Sequence, residues 1–210
     1  ETGEIMAVID MEDVRKLNPF VHLCNLQRIP KVADISHGND IEPLPSKFVD
    51  KFSRFEAGDL LISYRTQNLL FILDPDTLKI KWWRIGAWDR QHDPDWETDG
   101  HIAVFSNNEI SDRLYSDIVA IDPNTLKSRI IVNGEHFDFY STINGDHQRT
   151  EFDTRIITST TQGIAFEVDR DNNIAFMFIN AYDSENNLSL NISEAQHLSI
   201  EYFEEEFWTK

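Results

Sequence analysis

The chain lacks cysteine pairs, a glycine-rich phosphate-binding loop and long apolar runs. Cys24 is the only cysteine among 210 residues, which excludes a disulfide within the chain. Its thiol is either a small buried hydrophobe or a link to another chain. No apolar run approaches the roughly 20 residues that cross a bilayer, and no glycine-rich phosphate loop is present. No signal peptide is visible at Glu1, and residues 1–3 resemble the remnant that a secretion vector leaves on its product.

Basic residues are also scarce. Lysine and arginine number 19 against 37 aspartates and glutamates, and the formal net charge is −18. Nucleic-acid phosphates and anionic membranes repel such a chain, which argues against both as partners. A hydrophobic fraction of 40% and a charged fraction of 27% are typical of a folded globular protein.

A turn segment repeats along the chain. Its first copy, at 72–79, reads Ile-Leu-Asp-Pro-Asp-Thr-Leu-Lys, and the leading aspartates Asp74, Asp122 and Asp169 lie 48 and 47 residues apart. A fixed period of this length, with short β segments between turns, is typical of propeller blades. We interpret the aspartates as hairpin-turn residues because no full set of calcium ligands accompanies them.

The repeat predicts an all-β fold, a β-propeller whose blades are four-stranded antiparallel sheets. Three blades are expected, at residues 37–85, 86–135 and 136–182. A polar insertion at 45–57 in the first blade is expected to be a surface excursion. Because a propeller closes with about four to eight blades, we expect another chain or segment to supply the rest through extensive apolar contact.

The flanking segments are interpreted as parts of neighbouring blades. Residues 4–36 are expected to contain the last strand of a preceding blade, at 4–9, then a helical turn at 11–17 and an irregular connection. Residues 183–210 are expected to form a polar loop followed by a closing strand at 198–203.

The polar loop carries two glycosylation sequons, at Asn187 and Asn191. A glycan needs a surface loop in a secreted protein. The sequons therefore favour a secreted or extracytoplasmic glycoprotein.

Aligning the blades on their second strands brings three ionisable residues to equivalent positions: His37, His92 and Asp146. At these positions the chain enters the innermost strand of each blade. Innermost strands face the propeller axis, and we therefore expect one polar cavity there. Four neighbours are expected to bind substrate with Asp146 in that cavity: Asn39, Asp40, Asp95 and Arg149.

Arg65 closes the second strand of the first blade, after Ile-Ser-Tyr. A guanidinium there is expected to bind a sulfate, phosphate or carboxylate in bidentate fashion. An imidazole, with a reference pKa of about 6.5, acts as acid, base or nucleophile near neutral pH. Two histidines and an arginine therefore suit the movement of a small oxyanion.

Structural roles stay open for the same residues. His37 or His92, taken alone, is interpreted equally well as a structural residue that hydrogen-bonds a neighbouring strand. Arg65 is interpreted equally well as a salt-bridge partner of Asp40 or Asp95. Four tryptophans form either an aromatic wall for a phenol or sugar or blade-to-blade core, namely Trp82, Trp83, Trp88 and Trp96. The remaining histidines are interpreted as surface or packing residues, namely His22, His101, His136, His147 and His197.

An ordered series of segments closely resembles the arylsulfotransferase (arylsulfate sulfotransferase) family. The series is His-Gly-Asn-Asp-Ile-Glu-Pro-Leu at 37–44, Gly-Asp-Leu-Leu-Ile-Ser-Tyr-Arg at 58–65, Arg-Gln-His-Asp-Pro-Asp at 90–95 and Asp-Gly-His-Ile-Ala-Val-Phe-Ser-Asn-Asn at 99–108. The resemblance runs from about Gly3 to Ile179. It implies a six-bladed propeller that moves a sulfuryl group from one phenolic ester to another phenol. No nucleotide donor, metal or other cofactor is implied.

By this resemblance, His92 matches the histidine that is transiently sulfated, and His37 and Arg65 match the pair that polarises the sulfate oxygens. Two features depart from the family: a histidine of an earlier blade has no counterpart, and 150–154 lack the usual glycine. Two other functions stay open, a non-catalytic secreted propeller that binds a protein or glycan and a half-propeller that completes another chain.

Overall fold

The computed structural model describes residues 3–5, 7–21, 23, 34–111 and 113–203. Cys24 lies outside these residues. Three four-stranded sheets follow one another along the chain, each with its strands in sequence order. The predicted fold class, propeller blades of four strands, is confirmed.

The first sheet contains β1 (Gly38–Pro43), β2 (Leu60–Tyr64), β3 (Leu69–Leu73) and β4 (Ile80–Ile85). The second contains β5 (His92–Trp96), β6 (Ile102–Ser106), β7 (Asp117–Ile121) and β8 (Ser128–Asn133). The third contains β9 (Asp146–Arg149), β10 (Arg155–Ser159), β11 (Ile164–Val168) and β12 (Ile174–Ile179). A two-stranded hairpin of β13 (Ala181–Asp183) and β14 (Leu188–Ser189) follows. The α-helices of the described residues are α1 (Met11–Leu17) and α2 (Gly134–Phe137).

The chain forms two compact units. Unit 1 comprises the residues up to Val104 together with Val119–Arg129, and unit 2 comprises Phe105–Ile118 together with the residues from Ile130 onward. The division falls within the second sheet.

In unit 1, the two central strands of the first sheet are buried on both faces. β3 is accordingly a continuous apolar run, and β2 is apolar except for Ser63 and the hydroxyl of Tyr64. One face, with Leu61 and Leu70, packs in a cluster with three tryptophans, Trp82, Trp88 and Trp96. The other face, with Ile62 and Phe71, packs against Val14 of α1. These three tryptophans are core residues, as the packing alternative predicts, whereas Trp83 is exposed.

The polar insertion at 45–57 is not only a surface excursion, which corrects the expectation. It begins with a 3₁₀ turn, Ser46–Lys51, and then buries Phe52 and Phe55. The ring centroid of Trp96 lies 4.8 Å from that of Phe52 and 5.8 Å from that of Phe55. Two phenylalanines in a polar stretch bury enough apolar area to draw the segment into the core.

Neither flanking segment forms the expected strand among the described residues. Among residues 4–9, the described ones form no strand, and Ile5 and Val8 are exposed. The expected closing strand at 198–203 is instead a 3₁₀ turn, Ile200–Tyr202. A strand needs a partner, and no described residue pairs with either segment. The helical turn after residue 9 is confirmed as α1, where Asp10 caps the helix by accepting a hydrogen bond from the Glu12 N–H at 2.8 Å.

The repeated aspartates are turn residues, as predicted. Asp74 Oδ1 accepts the N–H groups of the second and third residues after it at 3.0 Å, and Asp122 accepts the equivalent pair. Asp169 accepts the N–H groups of Asp171 and Asn173 at 2.8 Å. A fourth turn of this kind, at Asp183 in the β13–β14 hairpin, was missed. Hydrogen bonds to the carboxylates lower the pKa of all four aspartates.

Candidate functional site

Within unit 1, the chain enters β1 beside the end of β2. The Arg65 N–H donates to the His37 carbonyl at 3.1 Å, and the Thr66 N–H donates to the Ser36 carbonyl at 3.3 Å. Gly38 pairs with Tyr64 in the antiparallel register of the two strands. The sequence-predicted His37 and Arg65 are therefore backbone neighbours.

The His37 side chain lies at the surface beside the carboxylate of Asp34. Its Nδ1 is 3.1 Å from Asp34 Oδ2, and the His37 N–H donates to Asp34 Oδ1 at 2.8 Å. His37 itself has a positive φ of 45°. Sequence reasoning missed Asp34, although a carboxylate three residues before a histidine is a signal for such a pair.

Arg65 opens a 3₁₀ turn, Arg65–Gln67, which ends at Asn68 in the left-handed conformation, with φ 51°. The third blade repeats the turn at Thr160–Gln162 and ends it at Gly163, with φ 66°. Arg65 is half-buried. The turn holds Arg65 at the connection between β2 and β3.

His92 is the first residue of β5, and the residue before it, Gln91, is completely buried. Gln91 Nε2 donates to Ser63 Oγ at 3.0 Å and to the Leu69 carbonyl at 3.2 Å. The Gln91 carbonyl accepts a hydrogen bond from Asn39 Nδ2 at 2.9 Å. These bonds hold the start of β5 against β1 and β2.

A second hydrogen bond joins β5 to β1 further along. Trp96 Nε1 donates to the Glu42 carbonyl at 3.1 Å. The innermost strands of the first and second blades therefore lie side by side within unit 1. The structure brings the backbones of His37, Arg65 and His92 to the same end of this pair of strands.

Asp40 and Glu42 form an acidic face on β1. They stand two residues apart and thus on one face of the strand, and both are half-buried. Burial raises the pKa of Asp40. Burial, followed by the charge of Asp40, raises the pKa of Glu42. Sequence reasoning named Asp40 but missed Glu42, whose burial a β-strand alternation would have predicted.

Asn39 and Asp95 complete the predicted set in unit 1. Asn39 occupies a bulge in β1, and its buried Oδ1 has no hydrogen-bond partner among the described residues. Asp95 is half-buried in β5. Asn39 thus offers an unused acceptor next to the strand that carries His92.

The other two predicted residues, Asp146 and Arg149, lie in unit 2 at the two ends of β9. Asp146 Oδ1 accepts from Thr158 Oγ1 at 3.4 Å. Arg149 forms an ion pair with Asp153, and Asp153 Oδ2 forms a second ion pair with Arg170 Nε at 2.7 Å. Arg149 is therefore part of a structural ion-pair cluster at the β9–β10 turn.

Unit 2 also contains a buried histidine that sequence reasoning placed only among surface or packing residues. His147 is 1% exposed, and its Nδ1 lies 2.9 Å from an Arg155 guanidinium nitrogen. Burial, and then the Arg155 charge, lowers the pKa of His147 well below its usual range. The imidazole is therefore neutral. Polar residues on both sides of His147 hid its inward direction from the sequence pattern.

Both sequon asparagines are exposed in unit 2. Asn187 lies in the β13–β14 turn with φ 54° and borders an open cavity of about 510 Å³ together with Ile164, Ile179 and Leu188. Asn191 follows the hairpin, and its carbonyl accepts from Asn180 Nδ2 at 3.4 Å. Among the described residues, no helix has the length and apolar character to span a membrane.

Comparison with known proteins gives one family match. The family described as Arylsulfotransferase (ASST) matches residues 1–181. Among solved structures, apo AztD from Citrobacter koseri matches with a TM-score of 0.37 and 8% identity. That alignment covers 58% of this chain and 32% of AztD, and the chain thus spans about a third of that protein. No curated protein matches.

Proposed function

The chain belongs to the arylsulfotransferase family, and from this premise we propose that it transfers a sulfuryl group between phenolic compounds through a sulfated His92. One observation carries the proposal. The Asn39–Gln91 hydrogen bond, 2.9 Å long, sets the strand of His92 beside the strand that follows His37. The nucleophile and its two proposed helpers then belong to one polar region of unit 1.

The reaction has two half-reactions. In the first, the lone pair of the neutral His92 imidazole attacks the sulfur of an aryl sulfate, a nitrogen–sulfur bond forms, and the bond from sulfur to the aryl oxygen breaks. The electron pair leaves on the phenolate oxygen, which takes a proton from solvent. In the second, the acceptor phenol oxygen attacks the same sulfur, and the nitrogen–sulfur electron pair returns to the imidazole.

Arg65 and His37 are proposed to donate hydrogen bonds to the sulfuryl oxygens, where charge accumulates in the transition state. Asp34 holds the His37 ring through Nδ1, which leaves Nε2 for the substrate. Asp40 is proposed to take the proton of the acceptor phenol, because a half-buried carboxylate with a raised pKa is a better base than an exposed one. Asn39, Asp95, Asp146 and Arg149 stay proposed substrate-binding residues.

The test is an assay of sulfuryl transfer from 4-nitrophenyl sulfate to a phenol. The release of nitrophenolate is the measured signal. His92→Ala is expected to lower the rate by about a thousandfold or more. His101→Ala is the matched control, since His101 belongs to the same blade and pairs with Asp99 at 3.1 Å. A sulfuryl adduct on the His92 peptide, seen by mass spectrometry after quenching with donor alone, supports the intermediate. No nitrophenolate release, even with the remaining blades supplied, contradicts the proposal.

We further propose that the protein works outside the cytoplasm, carries glycans at Asn187 and Asn191, and is completed by another chain or segment. The exposed apolar side chains of β12 support the last point, because a soluble protein seldom leaves such a strand uncovered: Ile174, Phe176, Met177, Phe178 and Ile179. Mass spectrometry of the secreted protein before and after glycosidase treatment tests the glycans. A stable monodisperse monomer in size-exclusion chromatography contradicts the need for a partner.

A further inference from the structure

Asn68 is the residue that ends the turn of Arg65. Its N–H donates to the Arg65 carbonyl at 3.1 Å, and its φ of 51° places it in the left-handed region. Asparagine is one of the few residues other than glycine that adopt this conformation readily. Asn68 thus lies three residues after Arg65 in the same short turn, and Arg65 is the residue that we propose to bind the sulfuryl oxygens.

The same residue also holds the loop that leads to His92. The Asn68 carbonyl accepts Trp88 Nε1 at 2.8 Å and the Gly86 N–H at 3.1 Å. Its side-chain Oδ1 accepts the Arg90 N–H at 2.8 Å, and its Nδ2 donates to Asp89 Oδ1 at 3.4 Å. Arg90 is only two residues before His92, and every group in this set belongs to unit 1.

We propose that the Asn68 side chain is a positioning device, which sets the place of His92 relative to Arg65 during sulfuryl transfer. The inference rests on the proposed function. Asn68 is part-buried, and its side chain connects two segments of the chain through Oδ1, which accepts the Arg90 N–H, and through Nδ2, which donates to Asp89 Oδ1. The connection is short and has few rotatable bonds, and it therefore transmits the position of one segment to the other.

The third blade shows that the turn itself does not need this side chain. Gly163 ends the equivalent turn with φ 66°. A glycine at position 68 would therefore keep the backbone conformation while it removes only the bonds to Arg90 and Asp89. The turn alone therefore does not account for the side chain of Asn68, whose amide holds Arg90 and Asp89.

The decisive experiment compares Asn68→Gly with the wild-type chain in transfer from 4-nitrophenyl sulfate. We expect kcat to fall by about 10- to 100-fold with little change in the donor KM, because a misplaced nucleophile weakens the transition state more than ground-state binding. Asn172→Gly is the matched control, since Asn172 also has a positive φ, 60°, and lies in an exposed hairpin turn. A wild-type kcat in Asn68→Gly overturns the proposal.

A second readout separates this inference from the proposed function. Hydrogen exchange of the Arg90 amide and the NMR shifts of the His92 ring are measured in the same variants without substrate. We expect Asn68→Gly to expose the Arg90 amide and move the His92 signals, and Asn172→Gly to change neither. If the wild-type chain transfers no sulfuryl group, the proposed function fails, but the linkage is still tested. Unchanged exchange and unchanged His92 signals in Asn68→Gly overturn it.

Discussion

The substitution Gln91→Met tests whether buried side-chain hydrogen bonds hold the start of β5 against β2 and β3. Methionine has nearly the volume of glutamine and leaves no large cavity, but it cannot donate to Ser63 Oγ or to the Leu69 carbonyl. Each lost bond lowers the free energy of unfolding by about 1 kcal/mol net. Gln91 Oε1 is buried without a hydrogen-bond partner among the described residues, and its removal returns part of this loss. The expected net loss is about 1–2 kcal/mol.

Urea unfolding followed by tryptophan fluorescence measures this loss, because Trp88 and Trp96 are buried in the same cluster. A loss of 1–2 kcal/mol corresponds to a fall of about 2–8 °C in Tm for a chain of this size. Gln196→Met, at an exposed glutamine, is the matched control and is expected to change Tm by less than about 1 °C.

Activity gives a second measure of the same variant. Since Gln91 precedes His92, the loosened strand start is expected to lower kcat about tenfold. A Gln91→Met protein as stable as the wild type within about 0.3 kcal/mol would refute the reasoning, because it would show that these two bonds do not hold the strands together.

Three further predictions follow from buried polar groups. The Asn18 side chain makes three hydrogen bonds: Nδ2 donates to the carbonyls of Val14 and Leu78, and Oδ1 accepts the Ile80 N–H. Asn18→Ala removes all three and is expected to lower the free energy of unfolding by about 3 kcal/mol. An unchanged urea midpoint would contradict this prediction. His147 has a folded-state pKa below its unfolded value, and its contribution to stability is therefore complete above about pH 6.5 and lost as the pH falls through the folded-state pKa. His147→Gln is expected to make the free energy of unfolding depend less on pH below about pH 6.5. A dependence as steep as that of the wild type would contradict this role of His147. The pKa of Asp40 is higher in the folded state than in the unfolded state, and ionised Asp40 therefore destabilises the fold increasingly as the pH rises from the unfolded-state pKa through the folded-state pKa. Asp40→Asn is expected to raise Tm at pH 7 but not at pH 3. The same substitution is expected to lower transfer activity.

Local chemistry explains which elements the sequence predicts well. The strands of the first blade follow from apolar runs such as Leu-Leu-Phe-Ile-Leu, bounded by turns at Gly58 and Asp74. An aspartate that accepts two backbone N–H groups makes the same turn wherever it occurs, and its spacing therefore reveals the blade period. The positions of His37, Arg65 and His92 at strand ends follow from the same count.

Long-range partners explain what the sequence does not predict. Residues 4–9 and 198–203 have the composition of strands, but a strand exists only where a neighbour offers its backbone, and none of the described residues does. Asn68 and Gln91 look like ordinary loop residues until folding brings residues 22 and 28 positions away against their side chains.

The sequence by itself determined the four-stranded sheets and their period, because short-range turn chemistry and apolar runs specify them. His92 became the candidate nucleophile only through the resemblance of the surrounding segments to the arylsulfotransferase family. Only the tertiary structure decided that Phe52 and Phe55 enter the core, that His147 is buried beside Arg155, and that Asn68 and Gln91 hold the strand of His92. The physical reason is that burial and hydrogen bonding depend on which distant segments come to lie against a residue, and a single chain read in order does not contain that information locally.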